Sequence, residues 1–414
     1  MNLKRHLVCL GTILVSTGAA HAGAFSMEGA SPSALGNAFA GSATGSHDNS
    51  DTFFNPATLR ATQTTQIHLG LTSVDTTIDA TAYSSTFSDN IPRTGQTQAS
   101  GGRTVSAPSL YFSTPINASW TFGASVTSPL KWRTTYPEGW LGRFHALDTD
   151  IDTLNATAQL AYQINDTLAV GAGLQYEQMA ATVSRNTSPT AYGVYRGKDH
   201  QHGFTLGVLA QPTPELKLGL GYRSAMRYSL RGDVNLTSLT TGAITTVPGQ
   251  VDWTMPDMLT LGAAYQANEK TQWVGDIRWT RWSSVSVFRI QFIRPAGGGL
   301  EVPLPFRDSV LTSVGVNHKL NGQWMLRAGL AHEKDAVTDD MRNPRLPTGD
   351  RTWASIGAQY KLNQRASVNL AYARQFFKNT RSNFAANATR NSASLDASYK
   401  LSSQLLGASF VYAW

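Results

Sequence analysis

Three groups of side chains carry the residue types that chemistry would need. His145, Asp148, Asp150 and Asp152 join an imidazole to an Asp-x-Asp-x-Asp run. Such a run opens a calcium loop, but Thr153 stands at the sixth position, where glycine is needed, and Gln159 at the twelfth, where a bidentate glutamate is needed. On a strand the three aspartates share one face with Leu154 and Ala156, as surface carboxylates just above an apolar band or as a cation site shared with lipopolysaccharide phosphates. His332-Glu333 starts a zinc-protease motif, but Ala336 replaces the second histidine. His47, Asp48 and Asp51 could be read as a site, but they suit polar contacts between an N-terminal segment and a surrounding wall better. G-x-S-x-G does not occur, and Gly41 to Ser46 lacks the lysine of a phosphate loop. A Ser-His-Asp set assembled from distant segments is the one enzymatic alternative, a lipid hydrolase. We expect no catalytic residue, metal or cofactor.

Large apolar residues in a polar setting are more informative. Trp132, Trp140, Leu141 and Phe144 fall in the polar segment 131–150. They form either a miniature loop core or a groove for a hydrophobic ligand, since contiguous exposed apolar area is costly to maintain. Arg185, Arg196 and Lys198, in the next polar segment, attract a carboxylate or face anionic lipopolysaccharide.

The elements that position these residues follow from period. Residues 1–22 read as an export signal, with Lys4 and Arg5, an apolar stretch from Leu7 to Val15, and Ala20-His21-Ala22 as cleavage site. The single cysteine, Cys9, lies inside it, so the exported chain has no thiol chemistry. Without Lys4 and Arg5 the 34 basic residues become 32, against 27 acidic ones. That balance suits an anionic surface or ligand, and no basic run interleaves with aromatics as nucleic acid would require. Beyond the signal no apolar run is long enough for a membrane-spanning helix.

Residues 63–414 instead alternate. Leu216, Leu218, Leu220 and Tyr222 oppose Lys217, Gly219, Gly221 and Arg223; Ala366, Val368, Leu370 and Tyr372 oppose Ser367, Asn369 and Ala371. Short turns near Pro115 to Asn117, Asn165-Asp166, Pro212 to Pro214, Asn268 to Lys270, Asn321-Gly322 and Asn363-Gln364 alternate with long polar segments at 79–102, 131–150, 184–200, 232–251, 286–306, 335–350 and 378–392. Six turns and seven loops give fourteen strands, an even number with short connections on one side, as an outer-membrane barrel requires. Trp120, Tyr162, Tyr265, Trp273, Trp324 and Tyr360, all near short turns, form a periplasmic girdle. The last strand, Leu406, Ala408, Phe410, Tyr412, Trp414, resembles a signal for barrel-assembly machinery. The class is all-β, a 14-stranded antiparallel transmembrane barrel of a Gram-negative outer membrane, able to stand as a monomer.

A barrel of that size has a lumen to fill. Residues 23–62 are Gly-, Ser- and Ala-rich yet include Phe25, Met27, Leu35, Phe39, Phe53, Phe54 and Leu59, so they read as a plug rather than a solvated tail. Ser31 and Pro32 mark the start of a short helix over Pro32 to Ala40. The alternative is a general porin with an open lumen.

The N-terminal block ending in Asn55-Pro56-Ala57, the segment Glu138 to Leu147, and Pro344-Arg345-Leu346-Pro347 followed by Asp350-Arg351-Thr352-Trp353 resemble the FadL family of outer-membrane transporters. The resemblance implies passive uptake of long-chain fatty acids or related hydrophobic compounds, monoaromatic hydrocarbons among them. It implies capture at loop 131–150 through Trp132, Trp140, Leu141 and Phe144, a deeper pocket reached past Phe25 and Met27, and rearrangement of a hatch ending in Asn55, Pro56 and Ala57. It also implies lateral release at a kinked third strand, Trp120 to Thr127, with Gly123 as kink. One basic position of the fatty-acid carriers falls on Ala180 here while Arg185 matches a neighbouring one, which leaves the ligand's headgroup open.

Overall fold

The alternation of apolar and polar residues closes on itself. In a computed structural model, which describes residues 29–86, 91–285, 287–292, 299–303, 306–337, 342–385 and 393–414, the chain forms a 14-stranded antiparallel β-barrel. The strands are β1 (Gln66–Ser84), β2 (Thr104–Pro115), β3 (Trp120–Thr127, resumed as Lys131–Thr135), β4 (Asp148–Asn165), β5 (Leu168–Ser188), β6 (Ala191–Ala210) and β7 (Leu216–Arg223, resumed as Met226–Ser238). They continue as β8 (Ile244–Met255 and Met258–Gln266), β9 (Thr271–Thr280 and Val287–Phe292), β10 (Gly299–Pro303 and Ser309–Lys319), β11 (Trp324–Lys334), β12 (Arg351–Lys361), β13 (Ala366–Phe377 and Thr380–Phe384) and β14 (Leu395–Ala413). β14 pairs with β1 from Gln66–Ala413 to Ser84–Asp396, which leaves no edge and lets every spanning backbone group pair internally.

Side-chain period sets the two faces. Leu69, Leu71, Leu154, Leu160, Leu174, Leu206 and Leu370 lie outward and exposed, and Thr72, Asn155, Gln159, Gln175 and Thr205 lie inward and buried. Trp120 stacks near Tyr162 (4.7 Å) and Trp324 near Tyr360 (4.6 Å) beside the short turns. In five of those turns an asparagine closes the corner: Asn117, Asn165, Asn268, Asn321 and Asn363 each accept a backbone N–H two residues on.

The long segments depart from expectation. Segment 184–200 is mostly strand, since β5 runs to Ser188 and β6 starts at Ala191; segment 232–251 likewise holds the ends of β7 and β8. Above the bilayer the outward face is wet, so the greasy parity that reveals a strand is lost while the ladder continues.

Among the described residues, the N-terminal segment fills the lumen as a hatch. It forms α1 (Pro32–Leu35) and 3-10 turns at Ser42–Thr44, Asn49–Phe53 and Pro56–Ala61. Ser31 caps α1 by accepting the Ala34 N–H. The helix stops at Leu35, short of Ala40, because Ala38 and Phe39 take positive φ (51° and 65°), turning Asn37 toward the Val316 and Ala328 carbonyls and Phe39 toward Trp353. Phe25, Met27 and residues 1–22, expected to be an export signal, lie outside the described residues.

Candidate functional site

The hatch is fixed by hydrogen bonds, charge and close backbone approach. Asp276 on β9 accepts from Gly41 N (3.0 Å), Ala43 N (3.1 Å) and the Ser42 hydroxyl. Asn55 donates through Nδ2 to Ala43 O and Val208 O, while its Oδ1 caps the following turn at Ala57 N (3.0 Å). Asn55-Pro56-Ala57 therefore ties the last hatch turn to β6. The guanidinium of Arg223 lies 3.9 Å from the Phe53 ring centre and donates to Phe53 O, and Arg278 covers Phe54 at 4.4 Å. The barrel wall is glycine where the hatch touches it: a Cβ at Gly221 would lie 1.8 Å from Phe54 O. His47, Asp48 and Asp51 belong to this docking, with Asp51 3.0 Å from His47 and Asp48 3.2 Å from His68 on β1.

Above the hatch the inward positions change character. Asn155, Gln175, Glu177, Arg223 and Tyr228 form a polar floor, in which Tyr228 donates to Glu177 (2.9 Å) and Asn155 donates to its other oxygen (2.8 Å). Beyond that floor the same strands turn apolar inward: Ile151 on β4, Met179, Ala181 and Val183 on β5, Met226 and Leu230 on β7, Val251 and Trp253 on β8. Leu130, Trp132, Trp282, Phe306 and Leu346 complete one continuous buried apolar section of the lumen.

The loop residues singled out by sequence separate. Trp132 faces this lumen, its indole N–H donating to Arg345 O (2.9 Å). Trp140 and Leu141 do not: they belong to a distinct loop core with Ile78, Tyr136, Leu147 and Tyr399, where Trp140 stacks on Tyr136 at 4.5 Å and donates to Ala146 O. Phe144 packs on Ala393 with Arg143 4.8 Å over its ring. Arg185 lies at the top of β5 and donates to Phe144 O (3.2 Å). Arg345, which sequence placed only inside a motif, proves central. It donates to Asp148 O (2.7 Å), Thr149 Oγ1 (2.9 Å) and Ser184 O (2.7 Å), seating segment 343–350 over the barrel mouth. Burial, then the charge of Arg185, pulls its guanidinium down to about 9. Burial holds His145, in the loop between β3 and β4, down to about 4, with Arg185 adding to the shift.

Asp150 and Asp152 have cationic partners, Arg133 and Lys131 (2.7 Å), and Asp148 accepts from Ser184 Oγ (2.9 Å). Among the described residues no group of three or more His, Cys, Asp or Glu could hold a metal.

The third strand is interrupted, but not at Gly123. Gly123 sits in an unbroken ladder between Ser113 and Gln159, and a Cβ there would lie 2.7 Å from Leu59 of the hatch, so it is a docking glycine. The interruption falls at Ser128, Pro129 and Leu130. Thr127 pairs with Asn155 and Lys131 with Asp152, so β3 uses four steps where β4 uses three. Among the described residues no ladder joins Lys131–Thr135 to Thr104–Pro108 of β2, and Pro108 and Pro129 both lack an amide hydrogen there.

A closed barrel with an apolar upper lumen, a polar floor and a docked N-terminal hatch defines an outer-membrane protein built to pass hydrophobic rather than hydrated solutes. Residues 13–414 match the family model described as outer membrane protein transport protein (OMPP1/FadL/TodX), and the chain belongs to that family. It is 26% identical over 407 residues to outer membrane protein P1 of Haemophilus influenzae (87% of each chain), and 24% identical over 413 residues to a long-chain fatty acid transport protein of Escherichia coli (88% of this chain, 89% of the other). The solved structure of a Pseudomonas aeruginosa FadL homologue superposes with TM-score 0.88 at 25% identity, over 94% of this chain and all of that one. The protein is thus an outer-membrane transporter of the hydrophobic-compound family.

Proposed function

We propose that the protein takes up long-chain fatty acids or similar hydrophobic molecules passively. The observation that carries this is the continuous apolar section of lumen from Trp132 to Val251 and Trp253, shut off below by the polar floor and the hatch. Transfer of a chain of roughly 16 carbons from water to such surroundings is worth about 0.8 kcal/mol per methylene, so entry needs no energy source. Release is the harder step. The ligand enters past the loops that Arg345 seats, occupies the lumen section beside Trp132, and leaves sideways where β2 and β3 are unpaired, as the hatch shifts between populations. A hatch held at Asp276, Asn55 and Arg223 speaks against a general porin.

The test is binding of oleate and of toluene to the detergent-purified protein. Oleate binding that weakens at least tenfold in Trp132→Ala and little in Trp140→Ala supports the proposal. Preference for toluene moves the substrate to small hydrocarbons, and binding of neither overturns the reading.

A further inference from the structure

The outer surface carries a second set of features that the lumen does not use. In one row across the sheet, Phe112 pairs with Ala124, Ala124 with Ala158, and Ala158 with Leu174; in the next row up, Leu110, Val126, Ala156, Tyr176 and His202 are neighbours in the same way. Alanines between bulky residues leave a trough of about 440 Å³ on the lipid-facing side, bounded by Phe112, Leu174, Tyr176 and His202.

Directly above it, outward positions of β6 and β7 become cationic. His202 and His200 pack around Tyr176 at 5.4 and 5.5 Å. One row higher Lys198 is the cross-strand partner of Arg231, a like-charge pair, with Arg196 and Arg227 exposed on the same face; Asp233 stands opposite Arg196 and Asp252 opposite Ser229, which leaves the excess of positive charge at Lys198 and Arg231. Like charges directly opposite on a sheet are destabilising unless an anion sits between them. Three other exposed cations are neutralised, Lys131 by Asp152, Arg133 by Asp150 and Arg381 by Asp396. Among the described residues the side chains of Arg196, Lys198, Arg227 and Arg231 make no hydrogen bond or ion pair.

We propose that this face holds a phosphorylated lipid of the outer leaflet, its phosphate between Lys198 and Arg231 and an acyl chain in the trough beside Ala156 and Ala158. The position favours this occupant: the cations begin where the apolar band of Phe204, Leu206 and Val208 ends, at the height of lipid headgroups. The Lys-Arg pair supplies charge and directed donors, and the histidines and Tyr176 cover the step between headgroup and chain.

The experiment is native mass spectrometry of the purified full chain incubated with bis-phosphorylated lipid A or its dephosphorylated form. Wild type should retain the phosphorylated form about tenfold better. Lys198→Gln/Arg231→Gln should lose that preference, while Lys131→Gln/Arg133→Gln, at the neutralised positions, should keep it. Ala156→Trp should lower retention of both forms and leave the preference intact. Heat-dependent gel mobility confirms that each variant is folded. No preference in wild type, or a preference that survives Lys198→Gln/Arg231→Gln, would overturn the site. Unchanged retention in Ala156→Trp would remove the acyl seat, and full competition by inorganic phosphate would show a free-anion site instead.

Discussion

His145 shows how much of this protein depends on single side chains placed among others. It stacks on Phe384 at 5.3 Å, its Nε2 is shut off from solvent, and burial with the nearby Arg185 holds it neutral down to about pH 4. The sign follows by linkage. An unfolded histidine titrates near its ordinary value of 6.5, so the opened loop gains a proton before the closed one does, and closure loses stability as pH falls from about 6.5 to about 4. Because the ring is half-buried, the loss is about 1–2 kcal/mol at most. Cys9 is the only cysteine of the sequence, so in a Cys9→Ser background the loop can be followed by labelling of Leu147→Cys: between pH 7 and 4.5 the labelling rate, corrected for thiolate, should rise several-fold, and His145→Gln should flatten the response. A flat response in the parent would show that His145 does not hold the loop.

The same scale shows what sequence could convey. Trp132 and Trp140 look alike in a polar segment, yet one faces the lumen and the other fills a loop core. Trp132 owes its direction to parity on a short strand, Lys131–Thr135, that no apolar alternation announces, whereas Trp140 lies beyond that strand in the loop. Arg345 was hidden for another reason: its importance lies in three acceptors on β4 and β5, far away in sequence.

At the scale of elements, the barrel strands were legible wherever one face met lipid, and the asparagine turns fixed where they reverse. Strand extensions above the membrane were not, because both faces there are polar. The hatch was legible as apolar residues within a small-residue stretch, but its seat was not, since it depends on glycines such as Gly221 that alternation marks only as small. Replacing Gly221 with Val should displace Phe54 and loosen the hatch, giving frequent openings in planar-bilayer recordings where wild type stays near silent. Wild-type-like silence in a folded Gly221→Val variant would mean that the hatch is held without this contact. For β3, sequence pointed to Gly123, but the extra residue lies at Ser128 to Leu130. Deleting Pro129 should bring Lys131–Thr135 into register with Trp120–Thr127 and close the gap to β2. Uptake of oleate by cells should then fall about tenfold or more while binding to purified protein persists. Equal uptake would rule out the sideways route.

At the scale of the whole molecule, three layers follow one another along the barrel axis: a hatch docked on glycines and arginines, a polar floor around Glu177 and Tyr228, and an apolar section roofed by loops that Arg345 seats. An open pore would pass water and ions, whereas this stacking leaves apolar surroundings only where a hydrophobic ligand can replace side-chain contacts. The most direct measurement is photocrosslinking of a diazirine-bearing fatty acid to the purified protein, with the adducts located by mass spectrometry. Adducts on the strand segments that carry Trp132, Met179, Met226 and Met255, competed away by oleate, are the predicted result. Adducts confined to the loop core around Trp140, or adducts that oleate does not displace, would contradict a ligand-binding lumen.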